Sequence, residues 1–293
     1  MSAEHDMRDR FFTVVGVLAI TIAVVSGQTK KASAPSRLAG GHPDLTGTYD
    51  LATLTPLERP TGMAAVLSDE EAAKLEKQAA ERVESGAAPI KGDRPAPPKG
   101  GDGSAGPAGN VGGYNTFWLD PGSRYSIIKG ERRTSIVIDP PTGRVPPLTA
   151  EARQRNAARV VRTTSDEVIR ENDPGFEGGG AYDDPERRPL GERCLLGFSS
   201  TSGPPALPNY FYNNLHQIVQ TRDSVMILTE MVHDARIVRM GAEHLPKTIR
   251  KWMGDSVGRW EGDTLVVDTT NFTDKTRFRG SGENLHVIER FSR

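Results

Sequence analysis

The chain of 293 residues carries 37 lysines and arginines against 38 acidic residues, a formal net charge of −1 at pH 7. Such a balance offers a phosphate backbone no global attraction, so the composition argues against a nucleic-acid-binding protein. With 31 glycines and 21 prolines, these two residue types make up about 18% of the chain against about 12% on average. Hydrophobic residues make up 36%, so the composition predicts many turns around a compact part smaller than the whole chain.

The amino terminus has the form of a secretory signal peptide. Residues 11–25 read FFTVVGVLAITIAVV without a charge, and Arg8 and Arg10 precede them. A helix of this length measures about 23 Å, which is short of the ~30 Å hydrocarbon core of a bilayer. We therefore expect cleavage of residues 1–27 near Gln28, no stable membrane span afterwards, and export to the periplasm or the extracellular space.

The folded part is expected to begin after a tether. Residues 28–41 are small and polar, which is typical of a flexible linker, and a single β-rich domain should then span residues 42–293. Residues 42–49 end a turn and begin the first strand, and Leu45 and Tyr49 are expected to point inward. The sequence LSDEEAAKLEKQAAERVESG then predicts a helix that is capped at its start and has a narrow apolar stripe.

The start of this helix has the sequence of a capping box, in which two residues each hydrogen-bond the backbone N–H of the other. Ser68 and Glu71 form a Ser-x-x-Glu capping box, and Gly86 ends the helix. Residues 86–113 are almost entirely glycine, proline, alanine and charged side chains, so burial cannot offset the entropy of ordering them. We expect this stretch to be a disordered insertion.

The middle of the chain changes to short β segments with one further helix. Thr149 is a good amino-terminal cap for this helix, which should run to about Arg159. The predicted strands lie at residues 114–119, 125–128 and 134–138, and a long irregular region follows at 171–214.

The carboxyl third predicts hairpins. Residues 215–220 and 224–238 are interpreted as one hairpin whose second strand is long and bent, and a second hairpin turns at residues 261–263. Residues 284–291 supply a further strand. Successive antiparallel strands without crossover helices indicate a meander that closes into a lipocalin-like barrel or a strongly curved sheet, with one or two peripheral helices.

The densest polar group lies on the predicted long strand. Side chains alternate along a strand, so Glu230, Asp234 and Arg236 would share one face, and His233 the other. An exposed ion-pair ladder and an interior acid–base pair are both compatible with this spacing. His233 stands beside apolar neighbours, which is typical of a hydrogen-bonded core histidine as well as of a catalyst.

Recognised cofactor and metal signatures are absent from the sequence. His216, His244 and His286 have no recognised ligand spacing, and no glycine-rich phosphate loop joins a strand to a helix. The sole cysteine, Cys194, cannot form an internal disulfide. We therefore predict neither a metal nor a cofactor.

Several long motifs carry a resemblance. They read TSIVIDPPTGRVPPLTAEARQR, RPLGERCLLGF, NNLHQIVQTRDSVMILTEMVHDARIV and RKWMGDSVGRWEGDTLVVDTTNFTDKTRFRGSGENLHVIERFSR. This set resembles a group of uncharacterised exported bacterial proteins, over residues 42–57 and nearly all of 113–293. The run PDLTGTY is similar to the start of lipocalins, with Tyr49 in place of their tryptophan. The relatives continue with further β segments and a second cysteine, so the chain is expected to be a carboxyl-terminally truncated member.

Three functions are compatible with these features. The leading hypothesis is binding of a small apolar molecule inside the barrel, without nucleic acid and with an unknown protein partner. The second is a barrel enzyme, a hydrolase or isomerase, with Glu230 or Asp234 as base and His233 or Arg236 stabilising charge. The third is an interaction or structural module of the cell envelope. The candidate pocket residues are Tyr212, Glu230, His233, Arg236 and Trp260.

Overall fold

The structure, a computed structural model, describes most of the carboxyl third of the chain and parts of the rest. The described residues are 36–86, 120–157, 162–164, 167–169, 185, 193–196, 213–276 and 278–293. The predicted signal peptide, most of the tether, and the insertion at 86–113 apart from Gly86 lie outside the described residues. The same holds for the predicted strand at 114–119.

The described elements comprise twelve strands, two α-helices and a 3-10 turn at Met231–His233. The helices are α1 (Asp69–Gly86) and α2 (Ala150–Ala157). In chain order the strands are β1 (Gly47–Asp50), β2 (Val66–Leu67), β3 (Ile127–Ile128), β4 (Glu131–Arg133), β5 (Arg162–Thr164), β6 (Glu167–Ile169), β7 (Leu215–Gln220), β8 (Ser224–Thr229), β9 (Ala235–Met240), β10 (Asp255–Glu261), β11 (Thr264–Thr270) and β12 (Val287–Phe291).

A seven-stranded sheet confirms the predicted mainly β fold class. Its order is β1-β7-β8-β9-β10-β11-β12, and it curls into a half-barrel. Neighbouring strands are antiparallel except β9 and β10, which are parallel. Parallel neighbours cannot be joined by a tight turn, which is why residues 241–254 form a long connection between them.

The five remaining described strands form two smaller sheets. Strands β2, β4 and β3 form a small second sheet, and β5 pairs with β6. The predicted capping box of α1 is confirmed: the Glu71 N–H donates to Ser68 Oγ at 3.2 Å, and the Ser68 N–H donates to Glu71 Oε2 at 3.0 Å. Thr149 Oγ1 accepts from the Ala152 N–H at the start of α2, as predicted.

The predicted long strand at 224–238 is wrong, because two strands and a turn occupy it. The chain reverses between β8 and β9, and the Thr229 N–H donates to the Asp234 carbonyl across the turn at 2.9 Å. His233 has a φ of 60°, which an extended strand cannot adopt. Met231 is buried within the turn, so the apolar pattern continues through it and conceals the reversal.

The predicted strand at 134–138 is also wrong. Ile136 and Val137 donate consecutive N–H groups to the carbonyls of Pro56 and Leu57, at 2.9 and 3.0 Å. Consecutive N–H groups point to opposite sides of a regular strand, so this backbone cannot be one. The neighbouring residues of β4 pair with β2 and β3 instead.

The concave face of the half-barrel carries the main apolar core. Side chains alternate along the strands, and the inward ones meet across the curled sheet. The buried cluster consists of Leu45, Ile218, Val225, Ile227, Val238, Leu265 and Val267, with Tyr49, Met240, Trp260 and Phe291 packed against it. Burying each large aliphatic side chain contributes about 1.5–3 kcal/mol.

An ion pair crosses the same concave face. Arg236 on β9 donates to both carboxylate oxygens of Glu289 on β12, although β10 and β11 lie between these strands. Three strand spacings of about 4.8 Å separate them by roughly 14 Å on a flat sheet. Register adds to this separation, because Glu289 lies at the level of Met240, four positions along β9 from Arg236. Direct contact therefore requires the sheet to curl.

The segment before β1 connects the two edges of the sheet. Arg37 donates to both carboxylate oxygens of Asp263, at 2.8 and 2.7 Å, in the turn between β10 and β11. The His42 ring stacks on Trp260 with centroids 4.6 Å apart, and Arg293 donates to the Asp44 carbonyl at 2.9 Å. Residues 37–46, which we call the strap, therefore close one end of the half-barrel.

A charge deletion at the buried pair tests its part in the fold. We expect Arg236→Met to destabilise the protein by about 3–5 kcal/mol, because it removes the Arg236 guanidinium from beside the buried Glu289 carboxylate. The double variant Arg236→Met, Glu289→Leu removes both charges and should recover most of that loss. Urea unfolding followed by circular dichroism measures both differences. A double variant as unstable as the single variant would contradict this account.

Candidate functional site

The concave face is mainly apolar and carries a group of polar side chains near one end. Alternation places His216, Thr229, Arg236 and Glu289 inward, and each of these side chains is buried or nearly so. Two further inward hydroxyls, on β10 and β11, satisfy each other at 2.9 Å. We call His216, Thr229, Arg236 and Glu289 the inner polar cluster.

The pair at the centre of this cluster is almost fully removed from water. The side chains of Arg236 and Glu289 are 4% and 10% exposed, and their contact is bidentate. Taking two charges out of water is costly, and apolar residues of the same volume are often at least as stabilising. The pair is therefore a poor solution for stability alone, which makes it a candidate for specificity or function.

His216 lies beside this pair as a neutral imidazole. Burial lowers the pKa of His216 below its ordinary value, and the positive charge of Arg236 lowers it further. A hydrogen bond with the Asn214 carbonyl, together with Glu289 and Glu230, acts in the opposite direction without reversing the shift. His216 Nδ1 lies 3.3 Å from the Asn214 carbonyl, so a proton on Nδ1 leaves Nε2 as an acceptor.

The structure separates the predicted catalytic candidates. Arg236 is inward on β9, whereas Glu230, His233 and Asp234 belong to the turn before it. Glu230 Oε2 accepts from the Leu215 N–H at 3.3 Å, and His233 is exposed. The predicted common face of Glu230, Asp234 and Arg236 is therefore wrong, because strand alternation does not pass through a 3-10 turn.

Asp234 has an unusual environment of its own. Its Oδ2 atom is buried and has no hydrogen-bond partner within the described part of the chain. Burial raises the pKa of Asp234 above its ordinary value, because the charged carboxylate loses hydration that nothing described replaces. The carboxyl group therefore holds a proton more tightly than an exposed aspartate does.

The predicted pocket residues do not all converge. Trp260 faces inward and packs against the core, but Val238 pairs with Ser256, which puts Trp260 six positions beyond the level of Arg236. This separation is roughly 20 Å along the strands. Trp260 therefore lies at the end that the strap closes, away from the inner polar cluster. Tyr212 lies outside the described residues.

Sequence reasoning missed Glu289 and the role of His216. Both occupy inward positions of strands that were predicted, at 284–291 and 215–220. Side-chain alternation could have assigned each of these two residues to a face of its own strand. It could not have shown that β12 approaches β9 across the concave side.

A second charged group lies on the outward face, around the connection between β9 and β10. His244 bridges two carboxylates, with Nδ1 3.2 Å from Asp255 Oδ2 and Nε2 3.2 Å from Asp268 Oδ1. His286 Nε2 lies 2.9 Å from the same Asp268 oxygen. In the part of the chain that the structure describes, no set of three or more His, Cys, Asp or Glu residues is arranged to hold a metal ion.

Asp255 anchors this outward group. Burial by itself would raise the pKa of Asp255, but the Leu245 N–H and His244 hydrogen-bond its carboxylate, and Arg239 and Lys251 lie close. These contacts outweigh burial and lower the pKa of Asp255 below its ordinary value. The ionised carboxylate therefore fastens the connection between β9 and β10 to the sheet.

Comparisons of the chain with protein-family models, curated proteins and solved structures give no significant match. The resemblance to exported lipocalin-like proteins therefore stays a prediction from the quoted motifs.

Across the residues that the structure describes, no helix combines the length and the apolar character needed to cross a membrane.

Asp234→Asn tests the buried, unpaired carboxylate. Because the folded-state pKa of Asp234 is raised, its ionisation weakens the fold as pH rises above about 4. We expect the variant to be more stable than the wild-type protein at pH 7, and the two free energies of unfolding to converge below pH ~4. Urea unfolding at several pH values measures this difference.

Asp255→Asn is the matched control, and its effect should have the opposite sign. The folded-state pKa of Asp255 is lowered, so its charge stabilises the fold above about pH 4, and this contribution is lost as pH falls through that pKa. The variant should be less stable at pH 7, and the gap should close in acid. Shifts of the same sign in both variants at pH 7 would refute the two assignments.

Proposed function

We propose that the chain is an exported, lipocalin-like protein that binds a small, mainly apolar molecule on the concave side of its half-barrel. The observation that supports this proposal is the inner polar cluster, a buried ion pair beside a neutral histidine on a mainly apolar concave face. Pockets for small molecules are mostly apolar, with a few polar groups that fix the orientation of the ligand.

The position of the inner polar cluster defines the end of the half-barrel where a ligand would bind. The opposite end is occupied by Leu45 and Trp260 and is covered by the strap. In the proposal, Arg236 and His216 orient the polar group of the ligand, and Thr229 lies beside them on β8. Trp260 then supports the closed end, and Glu230 contributes negative charge near His216 without entering the strand face.

The proposal includes export, and its support there is the sequence alone. The apolar stretch at residues 11–25 with arginines before it is typical of a cleaved signal peptide. Small antiparallel barrels such as lipocalins hold one small ligand, which suits a periplasmic or extracellular carrier of apolar molecules.

The enzyme hypothesis, hydrolase or isomerase, loses its geometric support because Glu230 and Asp234 lie in the turn before β9.

A second candidate function, an interaction or structural module of the envelope, is favoured by the outward face of the sheet. Val219, Met226 and Ile237 are direct neighbours across β7, β8 and β9. Val219 is 36% exposed and Ile237 is 52% exposed. Rows of exposed apolar side chains mark contact surfaces when they are contiguous. We call these three residues the outer apolar row.

Saturable binding of the uncharged fluorescent probe N-phenyl-1-naphthylamine tests the ligand-binding proposal. We expect Thr229→Phe, which adds bulk beside Arg236 on the inward face, to weaken probe binding at least tenfold. Fluorescence titration measures it, and circular dichroism checks that the variant is folded. Val287→Phe, inward on β12, replaces Thr229→Phe if that variant unfolds.

The matched control is Leu228→Phe, one residue away on the outward face of β8. It adds the same ring and should leave probe binding unchanged. Absence of saturable binding to the wild-type protein, or equal losses in Leu228→Phe and in a folded inward variant, would refute the proposal.

Ile237→Lys tests the second candidate. A second copy of the chain is the partner that every preparation contains, and an apolar surface can pair with its own copy about a twofold axis. If the outer apolar row is a contact surface, sedimentation velocity should show self-association that the lysine abolishes, while probe binding persists. A wild-type protein that stays monomeric at all concentrations would count against this use of the row.

A further inference from the structure

The inward strand positions of the seven-stranded sheet carry one charge of each sign. Arg236 and Glu289 are these two charged residues, and they contact each other. Both terminal nitrogens of Arg236 are engaged with the carboxylate. The pair therefore presents neither a free cation nor a free anion to a ligand.

His216, the remaining titratable member of the cluster, adds no charge to that of the ion pair. His216 is neutral at pH 7 because burial lowers its pKa, and its contact with the Asn214 carbonyl assigns the proton to Nδ1. The Asn214 side chain is itself held by the Asp120 carbonyl at 3.1 Å, which fixes the backbone that orients the ring. Nε2 is then a hydrogen-bond acceptor in an apolar environment.

We infer that the polar group of the ligand is an uncharged hydroxyl, as in a long-chain or cyclic alcohol, and not a carboxylate or an amine. This inference rests on the proposed function and names the ligand class of the same site. A hydroxyl donates to His216 Nε2 and accepts from an N–H of Arg236, so both of its hydrogen-bonding capacities are used.

Charged groups fit this site poorly for two different reasons. A carboxylate only accepts hydrogen bonds, so it meets the lone pair of His216 Nε2 and the negative charge of Glu289. An ammonium group can donate to Nε2 but loses its hydration beside the Arg236 guanidinium. Burying either ion beside Arg236 and Glu289 is costly, because the two charges of the pair cancel, and Glu230, which adds negative charge near His216, lies outside the strand face with its Oε2 atom accepting from the Leu215 N–H.

Three molecules with the same ten-carbon chain distinguish these cases. We would titrate the complex of the wild-type protein and N-phenyl-1-naphthylamine with 1-decanol, decanoate and decylamine at pH 7.5, below the solubility limit of decanol and the micelle concentrations of the two ions. The expected result is that decanol displaces the probe at a concentration at least tenfold lower than either ion. Equal or better displacement by decanoate or decylamine would overturn the inference.

The variant Glu289→Gln should change which of the three compounds the site prefers. It removes the negative charge and keeps the shape of the side chain, so Arg236 is left with an uncompensated positive charge. Decanoate should then displace the probe at a concentration equal to or below that of decanol. The matched control is Glu261→Gln, since Glu261 pairs with Arg290 on the outward face, and this variant should keep the wild-type order.

The possible outcomes distinguish the ligand class from the binding function. If the probe binds and decanoate is preferred by the wild-type protein, the ligand class is wrong and the binding function stands. If neither the probe nor any ten-carbon compound binds, the proposed function itself is wrong. If Glu289→Gln does not fold, the wild-type order of the three compounds decides the inference by itself.

Discussion

The contact between Arg236 and Glu289 constrains the sheet more than any other interaction described. The two residues lie three strands apart, so a flat sheet would hold them beyond the reach of their side chains. Their contact and the apolar cluster beside it require the same curvature, because both need β9 and β12 to face each other. The curl is therefore supported by non-directional burial and by a directional, bidentate hydrogen-bonded pair.

This curvature produces a half-barrel with two unlike ends. At one end the strap brings Leu45 into the core and places His42 on Trp260, so apolar and aromatic contacts close the concave side. At the other end the inner polar cluster interrupts the apolar face. A site that orients an amphiphilic molecule needs this asymmetry, since the chain of the ligand and its polar group require different surroundings.

Local signals in the sequence predicted several elements correctly, and the failures have a common cause. The Ser68 and Glu71 cap and the hairpin around Gly262 depend on neighbouring residues alone, and Gly262 adopts the positive φ that this turn requires. The turn before β9 has no glycine, proline or asparagine, and His233 takes the left-handed conformation instead. Met231 is buried, so its apolar character is indistinguishable in sequence from that of a continuing strand.

The mainly β class, the capped helix, the hairpin around Gly262 and the balance of charge follow from the amino-acid sequence alone. These depend on periodicity, turn chemistry and composition, which act over a few residues. Long-range packing brings Glu289 and His216 to Arg236, places Trp260 at the opposite end, and puts Glu230 and Asp234 in a turn. The reason is physical: which inward side chains meet depends on curl and register across strands that are far apart in the chain, and no local pattern records either.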